Sequence, residues 1–212
     1  MLGLPPPYPP PQAGEGREGD PIAATRGSSM SRVRFATARA LYETFPEVSE
    51  KIGIAPTDQF PIDFLKGLAS KGKLDEAVAF CAYLLPRREA VWWACGCART
   101  SLGEIPQDRG ACLLAAEAWV YDPDDEHRKA ALEIGTQADS NDPLTWLALA
   151  AGWSGGLLVT FPTVPVPVPT YMTARAARIA VLLSAAKIGK DQRAARLQAC
   201  IADGIKLAET GL

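Results

Sequence analysis

A chain of 212 residues with 48% hydrophobic and 22% charged residues is long and apolar enough to bury a core of its own. Its formal net charge of −2 excludes the general electrostatic pull of a nucleic-acid binder or of a protein drawn to anionic membranes. No run approaches the ~18 consecutive apolar residues of a membrane span, and prolines interrupt the opening residues where a secretory leader needs a continuous apolar stretch, so a cytoplasmic location is expected.

Residues 1–30 carry "PPPYPPP" at positions 5–11 and continue in a Gly/Glu/Arg/Ser mixture. So little apolar surface predicts a solvated, disordered or polyproline tail. A ligand for a proline-recognition domain is the alternative, but no charged residue flanks the prolines. Residues 31–212 read as one helical domain. In "VRFATARALYETF", Phe35, Ala38 or Arg39, Tyr42 and Phe45 share a face, and Pro46 follows its end. "PEVSEKIGIAPTDQF" reads as a loop leading to Pro61, a suitable first residue for the helix "PIDFLKGLAS". After a "KGK" turn, "LDEAVAFCAYLL" places Leu74, Ala77 or Val78, Cys81 and Leu84 or Leu85 at helical spacing. Pro86 stops that helix and opens the next, "PRREAVWWACGCARTSL".

"PQDRGACLLAAEAWVY" is a helix ended by Asp122-Pro123, and "DPDDEHRKAALEIGTQA" starts with a capping aspartate and acids in its first turn. "NDPLTWLALAAGW" is capped by Asn141 or Asp142 ahead of Pro143. Two long helices, "TYMTARAARIAVLLSAAKIG" and "KDQRAARLQACIADGIKLAETG", meet at Gly189. About eight helices joined by short turns predict an all-α fold, a compact bundle or a short stack of antiparallel helical hairpins. No fixed-period repeat supports a true solenoid.

The chemistry-bearing residues are sparse. Cys81, Cys95, Cys97, Cys112 and Cys200 all fall in apolar helical patterns, as small hydrophobes do in a reducing compartment. With His127 the lone histidine and no second CxxC pair, no metal site or cofactor is expected. "YDPDDEHRKA" lacks the glycine and downstream glutamate of a calcium loop and reads as helix capping. No GxSxG, Walker loop, GxGxxG or HExxH occurs, so the chain reads as a non-enzyme with no catalytic residues. The cations Arg175, Arg178, Lys187, Lys190, Arg193 and Arg196 read as a solvated face or as a match for an acidic protein patch, without the interleaved aromatics of a nucleic-acid site.

Three stretches carry the candidate sites. Arg87 and Arg88 lie in the opening turn of a helix, where positive charge is unfavourable and calls for a partner. Glu117, the single charge in "ACLLAAEAWV", calls for one too, so a structural ion pair of Glu117 with Arg88 or Arg99 is expected. The other reading of Arg87 and Arg88 is that they bind an acidic partner. Trp92 and Trp93, about 100° apart on a helix, are core anchors or leave one indole at a groove edge as a partner-binding residue. Last, "GGLLVTFPTVPVPVPT" is an uncharged connector in which alternating prolines exclude a helix or a central strand. Leu157, Leu158, Phe161, Val164, Val166 and Val168 either pack across the bundle or present an apolar edge to a protein partner.

"FCAYLLPRREAVWWACGCAR" and "AAEAWVYDPDDEHRKAA" resemble an uncharacterised bacterial domain family encoded near type VI secretion components, over about residues 60–212. The resemblance implies a cytoplasmic accessory protein, an adaptor or chaperone whose partner is a secreted effector or spike protein. It implies no binding residues. The alternative is a helical scaffold or regulatory protein-interaction domain unrelated to secretion.

Overall fold

Local stop and start signals set most helix boundaries. The computed structural model describes residues 33–106, 109–158 and 165–211, so the proline tail lies outside the described residues. Among the described residues there are ten helices: α1 (Ala38–Thr44), α2 (Val48–Ile52), α3 (Pro61–Ser70), α4 (Leu74–Leu84), α5 (Arg87–Leu102), α6 (Ala111–Tyr121), α7 (Asp125–Gln137), α8 (Pro143–Gly152), α9 (Met172–Ala186) and α10 (Lys190–Thr210). Two-residue strands β1 (Leu157–Leu158) and β2 (Val166–Pro167) lie between α8 and α9. The fold is all-α and compact.

Pro61 and Pro143 occupy first-turn positions of α3 and α8, where the missing N–H costs nothing. The Asp124 side chain accepts from the His127 N–H and caps α7, and Asp142 accepts from Leu144 to cap α8. Three boundaries differ from the periodicity, one being the start of α6, at Ala111 instead of Pro106. α1 starts at Ala38 because Thr37 caps it, accepting from the Ala40 N–H, and Phe35 outside the helix packs edge-on against Phe45. The segment read as a loop after Pro46 contains α2, where Val48 and Ile52 bury one turn apart and Gly53, at φ 61°, closes the helix.

The core centres on α4, buried continuously from Ala77 to Leu85. α2, α3, α9 and α10 all pack against it. α8 is covered by α6, α7 and α9, and α5 touches α6, α8, α9 and α10, tying the two regions into one core. Two interfaces close on glycine. Along α7 and α8, a Cβ at Gly152 would stand 2.7 Å from the Leu132 backbone, and one at Gly135 would stand 3.0 Å from the Leu149 side chain. The pairing of Gly135 with Leu149 and of Leu132 with Gly152 runs the two helices antiparallel. On α10, Gly204 lies against Cys81 and Trp93.

Candidate functional site

The apolar connector leaves α8 at Gly152 and is clamped at its root. Arg128 of α7 is 8% exposed; its Nη1 donates to the Gly152 carbonyl at 3.1 Å, and Nε and Nη2 donate to Asp125 Oδ1 at 2.8 and 2.6 Å. Gly156, at φ 79°, rests on that guanidinium so closely that a Cβ would come within 2.7 Å of Cζ. Any side chain there meets both a strained backbone and a steric block. On the returning limb the Val168 N–H donates to the Gly156 carbonyl at 3.1 Å.

Above this root β1 and β2 pair antiparallel, Leu157 opposite Pro167 and Leu158 opposite Val166. Prolines exclude a central strand but not a free-standing edge pair. Opposed residues share a face, so Leu157 with Pro167 and Leu158 with Val166 form the two sides. Leu157 is 49% exposed and Val166 37%, so both sides of the ribbon are open to solvent. Leu158 is half-buried, and Val168 is 8% exposed. Val168, expected with the partner-binding residues, is therefore a packing residue of the root. Phe161 and Val164 lie outside the described residues.

The arginines around the ribbon satisfy helix ends. Arg87, exposed at the start of α5, donates from Nη1 to the Ser154 carbonyl at 2.8 Å. Arg88 donates from Nε to the Val120 carbonyl at 2.7 Å and from Nη2 to Tyr121 at 3.4 Å, closing the C-terminus of α6. Charge that is misplaced at its own helix start is well placed at the negative end of an antiparallel neighbour. Arg88 is therefore not the Glu117 partner. Arg99 holds that carboxylate in a bidentate pair, both contacts 2.6 Å, with the side chains 14% and 9% exposed. The Glu117 hydrogen bond raises the Arg99 pKa above its ordinary value. Trp93 is buried and donates its indole N–H to the Cys200 carbonyl at 2.7 Å, which corrects its place among the partner-binding residues. Trp92 is half-buried against the core.

Other groups have structural occupations. All five thiols are buried, and burial pushes the Cys81 and Cys95 thiols well up. Asp122, Asp124 and His127 bring three potential ligand atoms within 4.8 Å of one another. Asp124 is occupied there as the α7 cap, with His127 Nδ1 2.9 Å from its Oδ1. Its carboxyl pKa is lowered chiefly by the backbone N–H of His127. In the basic run, Arg193 reaches Asp75 of α4 at 2.8 Å, while Arg178 faces a cleft with Lys51, Lys73, Asp75 and Glu76. Sequence reasoning passed over Arg128, whose i,i+3 spacing from Asp125 was visible but whose reach to Gly152 depends on packing.

Comparison with protein families matches residues 64–208 to one described as a family of unknown function, DUF6931. Comparison with curated proteins and with solved structures gives no match.

Proposed function

The chain belongs to this family of unknown function, and from its own surfaces we propose that it is a non-enzymatic adaptor or chaperone that holds a protein partner. The observation that carries the reading is the ribbon: aliphatic side chains exposed on both sides of a strand pair whose root is fixed by Arg128, Gly156 and Val168. An apolar strand pair held at its root loses little conformational freedom on binding, and its backbone edges, unpaired among the described residues, accept a strand from another chain. Arg87, exposed and tied to the ribbon's approach at Ser154, supplies a positive rim. The resemblance to domains encoded beside type VI secretion components makes a secreted effector or spike protein the partner to test first, in the cytoplasm before export.

Co-expression of the full chain with a candidate effector tests it. The wild-type chain is expected to co-purify with the effector. Leu157→Ser with Val166→Ser should weaken capture by about tenfold or more, given about 1 kcal/mol for each half-exposed aliphatic side chain newly buried, while the melting temperature stays unchanged. Full retention of the effector by that variant would remove the ribbon from the interface.

A further inference from the structure

A cleft of about 440 Å³ opens beside the α5 N-terminus, with Arg34, Arg87, Phe45, Tyr83, Leu85 and Ala174 in its lining. Most of the lining is apolar, yet two guanidinium groups converge on it. Arg34 stands 4.9 Å over the Phe35 ring and 5.9 Å from the Phe45 ring. Its one hydrogen bond among the described residues, to the Leu85 carbonyl, is stretched to 3.5 Å, the limit of a useful contact. Among the described residues Arg87 is held through a single nitrogen. Among the described residues neither has a carboxylate at ion-pair distance. Surrounding protein atoms, and next the charge of Arg87, lower the Arg34 pKa, with Glu89 acting against them. Beyond Tyr83 the charged neighbours are Glu47, Arg175 and Arg178. Among the described residues, the charges acting on Arg34 and Tyr83 are thus Arg87, Arg175 and Arg178 against Glu47 and Glu89.

We propose that this cleft binds a carboxylate carried on an apolar body, the carboxylate bridging Arg34 and Arg87 and the body lying against Phe45 and Tyr83. A carboxylate between the two arginines replaces their mutual repulsion with charge-assisted hydrogen bonds, to which each guanidinium still has nitrogens to contribute. The volume falls in the range of small-ligand pockets, about 300–1,000 Å³. It exceeds what a bare inorganic anion fills, and the aromatic wall has nothing to offer one. The carboxylate belongs either to a free small acid or to a peptide, as its C-terminus or an acidic side chain. The site does not depend on the ribbon's role in capture.

Titration of the full chain, followed by amide chemical shifts, tests the proposal. The probes are 3-phenylpropionate, its neutral amide, inorganic phosphate, and acetylated tetrapeptides ending in phenylalanine with a free or an amidated C-terminus. Carboxylate probes should shift amides around Phe45, Tyr83 and Ala90 with a Kd on the order of 1 mM. The amides should bind at least about tenfold more weakly. Arg87→Gln, at an exposed position, should keep the fold and lose about tenfold in carboxylate affinity, and Arg34→Gln should do the same. Binding of the small acid alone identifies a metabolite-type ligand; tighter binding of the free-ended peptide identifies a chain terminus. No response to any carboxylate, equal binding of the neutral amide, stronger binding of phosphate, or undiminished affinity in a folded Arg87→Gln variant would each overturn the site.

Discussion

Removing one member of the Arg99–Glu117 pair strands a charge that is at most 14% exposed. Arg99→Met is expected to cost about 3 kcal/mol in urea denaturation, the range for breaking a buried pair from one side. Arg99→Met with Glu117→Leu should recover most of that loss, because an apolar pair of similar volume escapes the desolvation of both charges. A double variant as unstable as the single would show that Arg99 matters through its packing. The need for a partner was readable at Glu117, an acid in an otherwise apolar helix. Which arginine meets it was not, since the choice depends on how α5 and α6 cross. Arg88 is diverted to the carbonyls of Val120 and Tyr121.

For the ribbon, covered and exposed residues should respond oppositely to substitution. Val168→Ser places a hydroxyl at a position 8% exposed and should lower stability by about 1–2 kcal/mol, whereas Leu157→Ser should leave the melting temperature where it was. Gly156→Val meets the Arg128 guanidinium in a left-handed backbone conformation. It should cost about 2 kcal/mol or more and speed thermolysin cleavage at Leu157, Leu158 and Val166, while helix content by circular dichroism stays constant. Unchanged cleavage would mean that the clamp does not order the ribbon. The prolines announced an extended path, yet Val166 and Val168, identical in type and two residues apart, end up outside and inside. Val166 pairs with Leu158 in the ribbon, while the Val168 N–H is held by the Gly156 carbonyl at the root.

At the scale of the whole molecule, α10 closes the core over Gly204, with Cys81 and Trp93 filling the space a side chain would take. Gly204→Val should destabilise by about 2–3 kcal/mol through overpacking, read in the same urea assay. Alkaline pH should also weaken the fold. Burial raises the Cys81 and Cys95 thiols, and it pushes the Tyr42 and Tyr83 hydroxyls up to about 12. In the unfolded chain these groups lose their protons near 8.5 and 10. Above about pH 9 the unfolded state therefore holds fewer protons than the folded one, and stability falls as pH rises. Each buried thiol contributes up to about 1.4 kcal/mol per pH unit. The urea midpoint should be lower at about pH 10 than at about pH 7.5, and a midpoint that stays level would show those thiols to be open to solvent.

The sequence by itself determined the all-α class and most helix boundaries, because caps, prolines and apolar spacing act over three or four residues and need no distant partner. It lost α2, a helix of five residues whose signal is a single buried pair one turn apart. Tertiary structure alone decided where the arginines end, which ribbon residues are covered, and that Arg34, Phe45, Tyr83, Arg87 and Ala174 share one cleft. Those outcomes depend on separate segments meeting in space. Packing selects among contacts that the local code leaves equivalent.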